Sequence, residues 1–301
     1  MTGQTPETPS PATAPGANTI PAALRYLRRN GALIVGLVLL AALAAFVGVG
    51  HLVVDTAKAR PLSVPTLRPP SAQYPLGTDR QGRDLLAVMV AGTPLTLRIG
   101  FIAGLIGVGL GSVLGFTAAY YRGTVDAVIR GVVDVGLTVP GLLVLIIIAV
   151  SIKEGLTVDQ MAVVVASLAW LSPTRAIRAQ VLSLRERGYV DVARLSGMSG
   201  PEIIVRELVP NLLPYLAATL VNAVSSAILA SVFLEVLGLG PIDSPTLGMT
   251  LYWVNFNAAL INGWWWWWAA PIVVILVVFL GLFFVTVGLD EVANPRLRRA
   301  V

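Results

Sequence analysis

Apolar runs as long as a bilayer is thick, set apart by short polar stretches, constrain this chain more than anything else in it. About 20 helical residues cross a hydrocarbon layer of about 30 Å at about 1.5 Å each. Inside that layer only helices and closed barrels satisfy their own backbone hydrogen bonds. The runs Ala32–Val54, Leu97–Tyr121, Val128–Ile152, Val158–Leu171, Leu212–Leu237 and Ala269–Leu289 read as six transmembrane helices, the fourth short and closed by Pro173. The first is longer than the roughly 7–15-residue core of a signal peptide and reads as an uncleaved span. The predicted fold is therefore all-α, a polytopic membrane protein. Composition agrees: 56% of the 301 residues are hydrophobic and 12% charged, against about 25% charged in a soluble domain.

Six crossings put both termini on one side, and charge says which. Arg25, Arg28, Arg29, Arg122, Arg130, Arg175, Arg178, Arg185, Arg187, Arg194, Arg206, Arg296, Arg298 and Arg299 all fall on the terminal side. The opposite loop, 238–268, has no Lys or Arg. The positive-inside rule places both termini in the cytoplasm. The first outer loop, 55–93, is an exception, with Lys58, Arg60, Arg68, Arg80 and Arg83 partly offset by Asp55, Asp79 and Asp84. Residues 1–22, rich in Thr, Pro, Ala and Gly, read as a disordered cytoplasmic tail ahead of one membrane domain at 23–301. The net charge of +5 lies mostly on arginines near span ends. That suits anionic lipid; no basic cluster is interleaved with aromatics, so nucleic acid is a poor partner.

Catalytic chemistry has little to stand on. There is no cysteine and one histidine, His51, which removes disulfides, thiolate metal sites and thiol nucleophiles. No phosphate-binding loop, HExxH, EF-hand loop or serine elbow occurs, so the chain is expected to bind neither metal nor ATP itself. Asp126, Arg130 and Asp134, spaced i, i+4, i+8, read as a self-neutralising ladder in preference to a proton relay, which needs acids deep in the bundle. Asn222, Ser225 and Ser226 are polar candidates for a pathway, and helix packing accounts for them equally well. No internal repeat supports an inverted-repeat carrier.

Two features concern packing. Gly100, Gly104, Gly107, Gly111 and Gly115 make a stripe on one face of the second span, to be filled by a helix of this chain or of a partner subunit. The run Trp264–Trp268 before the last span suits an interfacial anchor better than an aromatic wall for a ligand.

The polar island between the fourth and fifth spans, 183–210, has the shape of a docking element. Arg175–Arg187 continues a helix out of the membrane with its arginines solvated, Val190–Ser196 can form a short helix, and Gly197 tolerates positive φ. Ser199 and Glu202 have capping-box spacing at the start of the next helix. Small Ala193 and Gly197 leave room for a partner's side chains. A plain connector has no use for exposed Val190, Val192, Leu195 and Met198, so a protein partner is expected there.

These residues resemble the Glu-Ala-Ala loop of bacterial ABC importer permeases, which runs Glu-Ala-Ala, three residues, Gly, then an Ile-x-Leu-Pro ending. Here it stands as Asp191-Val192-Ala193, Gly197 and Leu208-Val209-Pro210, with Asp for Glu, Val for the first Ala and Val209 for the usual Leu. Tyr74-Pro-Leu-Gly-Thr-Asp79-Arg-Gln-Gly-Arg-Asp84 is similar to a box of the C-type subunit in the dipeptide/oligopeptide/nickel permease family, with Tyr for His. Arg178–Arg187, Leu237-Gly-Leu-Gly240 and Asn294-Pro-Arg-Leu-Arg298 also agree; Gly188 stands where Glu is usual, and Ser244–Gly248 lacks a tryptophan common there. The resemblance covers roughly residues 25–300.

It implies a type I importer permease in a bacterial cell membrane, carrying peptides or, by the same machinery, a nickel chelate, glutathione or oligosaccharides. A proton-coupled secondary carrier, needing a buried acid and no ATPase, is the alternative of another class. The implied partners are a second, B-type permease, two cytoplasmic ATPases that hold ATP and Mg, an extracytoplasmic binding protein and membrane lipid. Asp191, Val192, Ala193, Leu195, Gly197 and Met198 would form the coupling helix seated on an ATPase. Gly77, Thr78, Asp79, Gly82, Arg83 and Asp84 would make an outer-face motif. Either Thr78 or Asp79 caps a helix leading into the second span, or the motif meets the binding protein or an outer gate.

Overall fold

The computed structural model describes residues 30–152 and 155–293. The tail at 1–22, Arg25, Arg28, Arg29 and the closing Asn294–Arg298 segment lie outside them. Helix α1, Gly31–Val53, starts at Asn30, whose Oδ1 accepts the Leu33 N–H at 3.0 Å. The Asn30 Nδ2 donates to the Gly288 carbonyl oxygen at 3.0 Å, tying the start of α1 to the end of the last helix. The long second helix α2, Leu85–Tyr121, begins well before the expected Leu97. Thr93, Pro94, Thr96 and Arg98 dilute the hydropathy there, but the polar atoms are used internally. The Thr93 hydroxyl donates to the Met89 carbonyl oxygen at 2.6 Å, and Thr96 Oγ1 accepts the Leu247 N–H at 3.0 Å.

The third run is not one helix. It breaks into α3, Gly123–Thr138, and α4, Gly141–Ser151, bent by 84°. Pro140 is the cause: it supplies no N–H to the turn, and it biases the preceding Val139 to extended backbone, found at φ −74°, ψ 133°. The fourth run gives a helix of 12 residues, stopping just short of the expected Leu171. Helix α5, Val158–Ala169, opens on a capping box between Thr157 and Gln160. Trp170 is the turn between it and a new helix α6, Leu171–Arg185, whose first turn holds Pro173, where a missing N–H costs little.

A short helix α7, Gly188–Leu195, precedes α8, Gly200–Val236, which has a π turn at Ile204–Leu208. Helices α9, Leu247–Phe256, and α10, Trp265–Ala293, complete the described chain. Among the described residues α1, α2, α8 and α10 are long and apolar enough to cross a membrane, with the bent pair α3–α4 as a fifth candidate. Six crossings are compatible with this set, since α5 reaches membrane length only together with α6.

The glycine stripe is filled from within the chain. A Cβ at Gly104 would lie 2.7 Å from Val224 Cγ2, and Gly100 likewise faces Ile228, both on α8. At Gly107 it would lie 2.7 Å from the Ala169 carbonyl oxygen, and at Gly115 3.0 Å from that of Thr174. One core therefore joins α2, α5 and α8 through Ile99, Ala103, Met161, Ala227 and Leu234. A second joins the far end of α2 to α6, α7 and α8.

Candidate coupling and pathway sites

The loop element is built as an amphipathic helix with two apolar edges. Gly197, at φ +81°, ends α7 in a Schellman arrangement: its N–H bonds the Arg194 carbonyl at 3.0 Å, and the Met198 N–H that of Ala193 at 3.2 Å. Val192 and Leu195 are 63% and 89% exposed, and Asp191 pairs with Arg194 at 3.1 Å on the same open side. Val190, expected in water, is instead fully buried, and Ala193 fits this chain's own core against Phe116, Ile177 and Ile203. Residues i and i+3 share a helix face, and here that face is the inner one. Met198 is half-buried on the same core. The Ser199 side chain makes no capping bond, and Glu202 turns to Arg206 at 2.8 Å, so the predicted capping box does not form.

Of the arginines leading into this element, Arg175 and Arg187 are exposed as expected, whereas Arg178 and Arg185 are held by the chain. Arg178 is bidentate to Asp126, with Nη2 to Oδ2 at 2.7 Å, and so takes the acid assigned to the Asp126–Arg130–Asp134 ladder. Arg185 donates to the carbonyl oxygens of Ala119, at 3.2 Å, and Tyr120. Burial lowers the pKa of its guanidinium, and the nearby charges of Arg122 and Arg194 add to this. Arg122 pairs with Glu186.

The outer-face motif closes on itself. Asp79 accepts from the Arg83 backbone N–H at 2.9 Å and from its Nε at 2.6 Å, both side chains buried. Thr78 Oγ1 donates to the Pro65 carbonyl oxygen at 2.7 Å and accepts the Arg68 N–H at 2.8 Å. The N-cap of α2 is Asp84, accepting from Leu86 N at 2.9 Å, and neither Thr78 nor Asp79 takes that place. Gly77, at φ +76°, sits where a Cβ would be 2.6 Å from Trp266; Gly82, at φ +71°, lies over the Val64 carbonyl oxygen. The tryptophan run shares this packing. Trp266 Nε1 donates to the Thr78 carbonyl oxygen at 3.2 Å, Trp267 is fully buried with Leu85, and Trp265 is exposed. Two of the five rings thus pin the outer loop where an interfacial anchor was expected.

Between the α3–α4 bend, α5, α6 and α8 lies a groove of about 900 Å³. Asn222 and Ser226 line it, whereas the Ser225 hydroxyl donates to the Val221 carbonyl oxygen at 2.9 Å and Ser225 is not part of the wall. Tyr215 and Thr219 complete a polar stripe on α8 at steps of four, three and four residues. That periodicity was present in the sequence, though only Asn222 and Ser226 were read from it. Ser172 faces the same space, and Asp290 is the one ionisable side chain of acid or base type lining it among the described residues.

Glu235 is a site that sequence reasoning missed. Fully buried near the end of α8, its Oε2 accepts from the Thr246 hydroxyl at 2.7 Å and the Met249 N–H at 3.0 Å. It therefore caps α9, and a Cβ at Gly248 would run into its carboxylate. Among the described residues no group of His, Cys, Asp and Glu is arranged to hold a metal ion.

The profile described as "binding-protein-dependent transport system inner membrane component" matches residues 107–299, which take in the α7 element and the groove. The chain belongs to this family. As a member of this inner membrane component family it is a multi-pass membrane protein, and the resemblance drawn from its loop and box is borne out. It is 33% identical over 174 residues to the oligopeptide transport system permease protein OppC of Mycobacterium tuberculosis, covering 58% of this chain and 60% of that relative's length. A putative peptide transport system permease protein of Brucella abortus biovar 1 is 33% identical over 233 residues, 75% of each chain. The dipeptide transport system permease protein DppC of Bacillus subtilis is 28% identical over 277 residues, 92% of this chain and 86% of its own.

Proposed function

We propose that this chain is the C-type permease subunit of an ATP-driven ABC importer for di- or oligopeptides, a non-catalytic subunit that forms the pathway with a second permease. The observation that carries the reading is α7: one edge is locked into the membrane helices by Val190 and Ala193, and the other offers Val192 and Leu195 to a partner. Two ATPases holding ATP and Mg would seat that open edge, with Asp191, Gly197 and Met198 at its rim. A binding protein would deliver cargo at the opposite end, and by the positive-inside rule α7 and both termini would face the cytoplasm. The relatives' names support peptide cargo. So does the groove, whose neutral Tyr215, Thr219, Asn222 and Ser226 can exchange hydrogen bonds with amide groups. Glu235, the buried acid a proton-coupled carrier would need, turns its Oε2 to the start of α9 and is not part of the groove's wall.

The test is purification of the tagged chain from membranes, followed by uptake of tritiated trialanine by the reconstituted complex. Two co-purifying ATPases and ATP-dependent uptake are expected. Uptake driven by a proton gradient, with no ATPase present, would sink the proposal; uptake of nickel chelate or glutathione alone would correct the cargo.

A further inference from the structure

Tyr120, in the last turn of α2, is held from three sides. The Arg185 guanidinium, ending α6, donates to the carbonyl oxygens of Ala119 and Tyr120, which α2 itself leaves without intrahelical partners. The same guanidinium stands 5.8 Å from the centroid of the Tyr120 ring, and Arg194 of α7 stands 5.8 Å from that centroid too. From the third side α8 closes in, since a Cβ at Gly200 would lie 2.9 Å from Tyr120 Cε1. Of the other polar ties at this end, Arg122–Glu186 and Asp191–Arg194 are solvent-exposed pairs that hold little, and the mostly buried Arg178–Asp126 pair joins α6 to α3 and does not touch α2. Arg185 is different: it is mostly buried, its charge meets the carbonyl end of the α2 dipole, and its Nη1 alone donates to both carbonyls.

We infer that Arg185 and Tyr120 form the joint that carries a displacement of α7 into the second span. Arg185 is a positioning residue that touches neither nucleotide nor cargo. Displacement then reaches α5, α6 and α8 through the glycine contacts of α2. The inference rests on the reading of α7 as the element that meets the ATPases.

The chain has no cysteine, so Ser226→Cys gives a single reporter in the groove. Its alkylation rate by a permeable maleimide is measured in the purified complex, with and without Mg-ATP and vanadate. In Arg185→Gln and in Tyr120→Leu the nucleotide-dependent ratio of rates is expected to fall about 2- to 30-fold. ATPase co-purification and hydrolysis stay at the parental level. Arg185→Lys, which keeps charge and one donor, recovers part of the ratio. An unchanged ratio in either of the first two variants overturns the joint. Loss of the ATPases from either overturns it as well, because Arg185 or Tyr120 is then a strut for assembly. A parental complex that shows no nucleotide-dependent ratio, or brings no ATPase, overturns the underlying reading of α7, and the joint falls with it.

Discussion

Asp79 and Arg83 are buried together 2.6 Å apart in the outer motif. Removing one member of such a pair strands the other charge and costs about 3–5 kcal/mol, whereas replacing both with apolar groups is often close to neutral. Asp79→Ala is therefore expected to lower the detergent melting temperature sharply, and Asp79→Leu with Arg83→Met to recover most of the loss. Equal damage from single and double variants would mean that the motif needs its charges for something beyond its own fold. Asp84 makes a second case. Burial raises its carboxyl pKa, against the N–H groups of Leu86 and Ala87 and the charge of Lys58. With the native pKa above the unfolded one, its contribution to stability is full below about pH 3.8 and is lost as pH rises through the native value. Asp84→Asn keeps an acceptor for the Leu86 N–H. It is expected to melt higher than wild type at neutral pH, with the gap closing on acidification; a constant gap would contradict this.

At the scale of one element, Gly197 separates backbone from side-chain causes. Its φ of +81° is unfavourable for a β-branched residue, yet a Cβ there meets nothing within 4 Å. Gly197→Val is expected to abolish uptake while the chain still inserts, and Gly197→Asn, which tolerates that backbone, to retain much of it. Normal uptake by the valine variant would remove Gly197 from the coupling element. The same positions show what a sequence discloses. Gly197 announced its turn, and the apolar runs announced where helices cross. Pro140 stood in plain view inside an apolar run, but hydropathy averages over a proline and hides the bend it makes. In α7 both edges are apolar, so periodicity alone does not say that Val190 and Ala193 face inward while Val192 and Leu195 face out. Glu235 was illegible for another reason: its partners Thr246 and Met249 come from a segment brought back only by the fold.

For the molecule as a whole, the close seating of α2 decides what can move. Gly104→Leu would drive a side chain into Val224 main-chain atoms that have nowhere to go. Overpacking of this kind costs about 1–3 kcal/mol or more. Gly109, on the same helix with nothing within 4 Å of its Cβ, is the control. Low membrane levels for Gly104→Leu beside normal levels for Gly109→Leu are expected on immunoblots; equal levels would argue against the intramolecular seam. A rod notched at Gly100, Gly104, Gly107, Gly111 and Gly115 has no smooth track along which to slip. Were a passage to open beside it, α2, α5, α6 and α8 would have to tilt as one plank, because the notches of α2 hold all three of its neighbours.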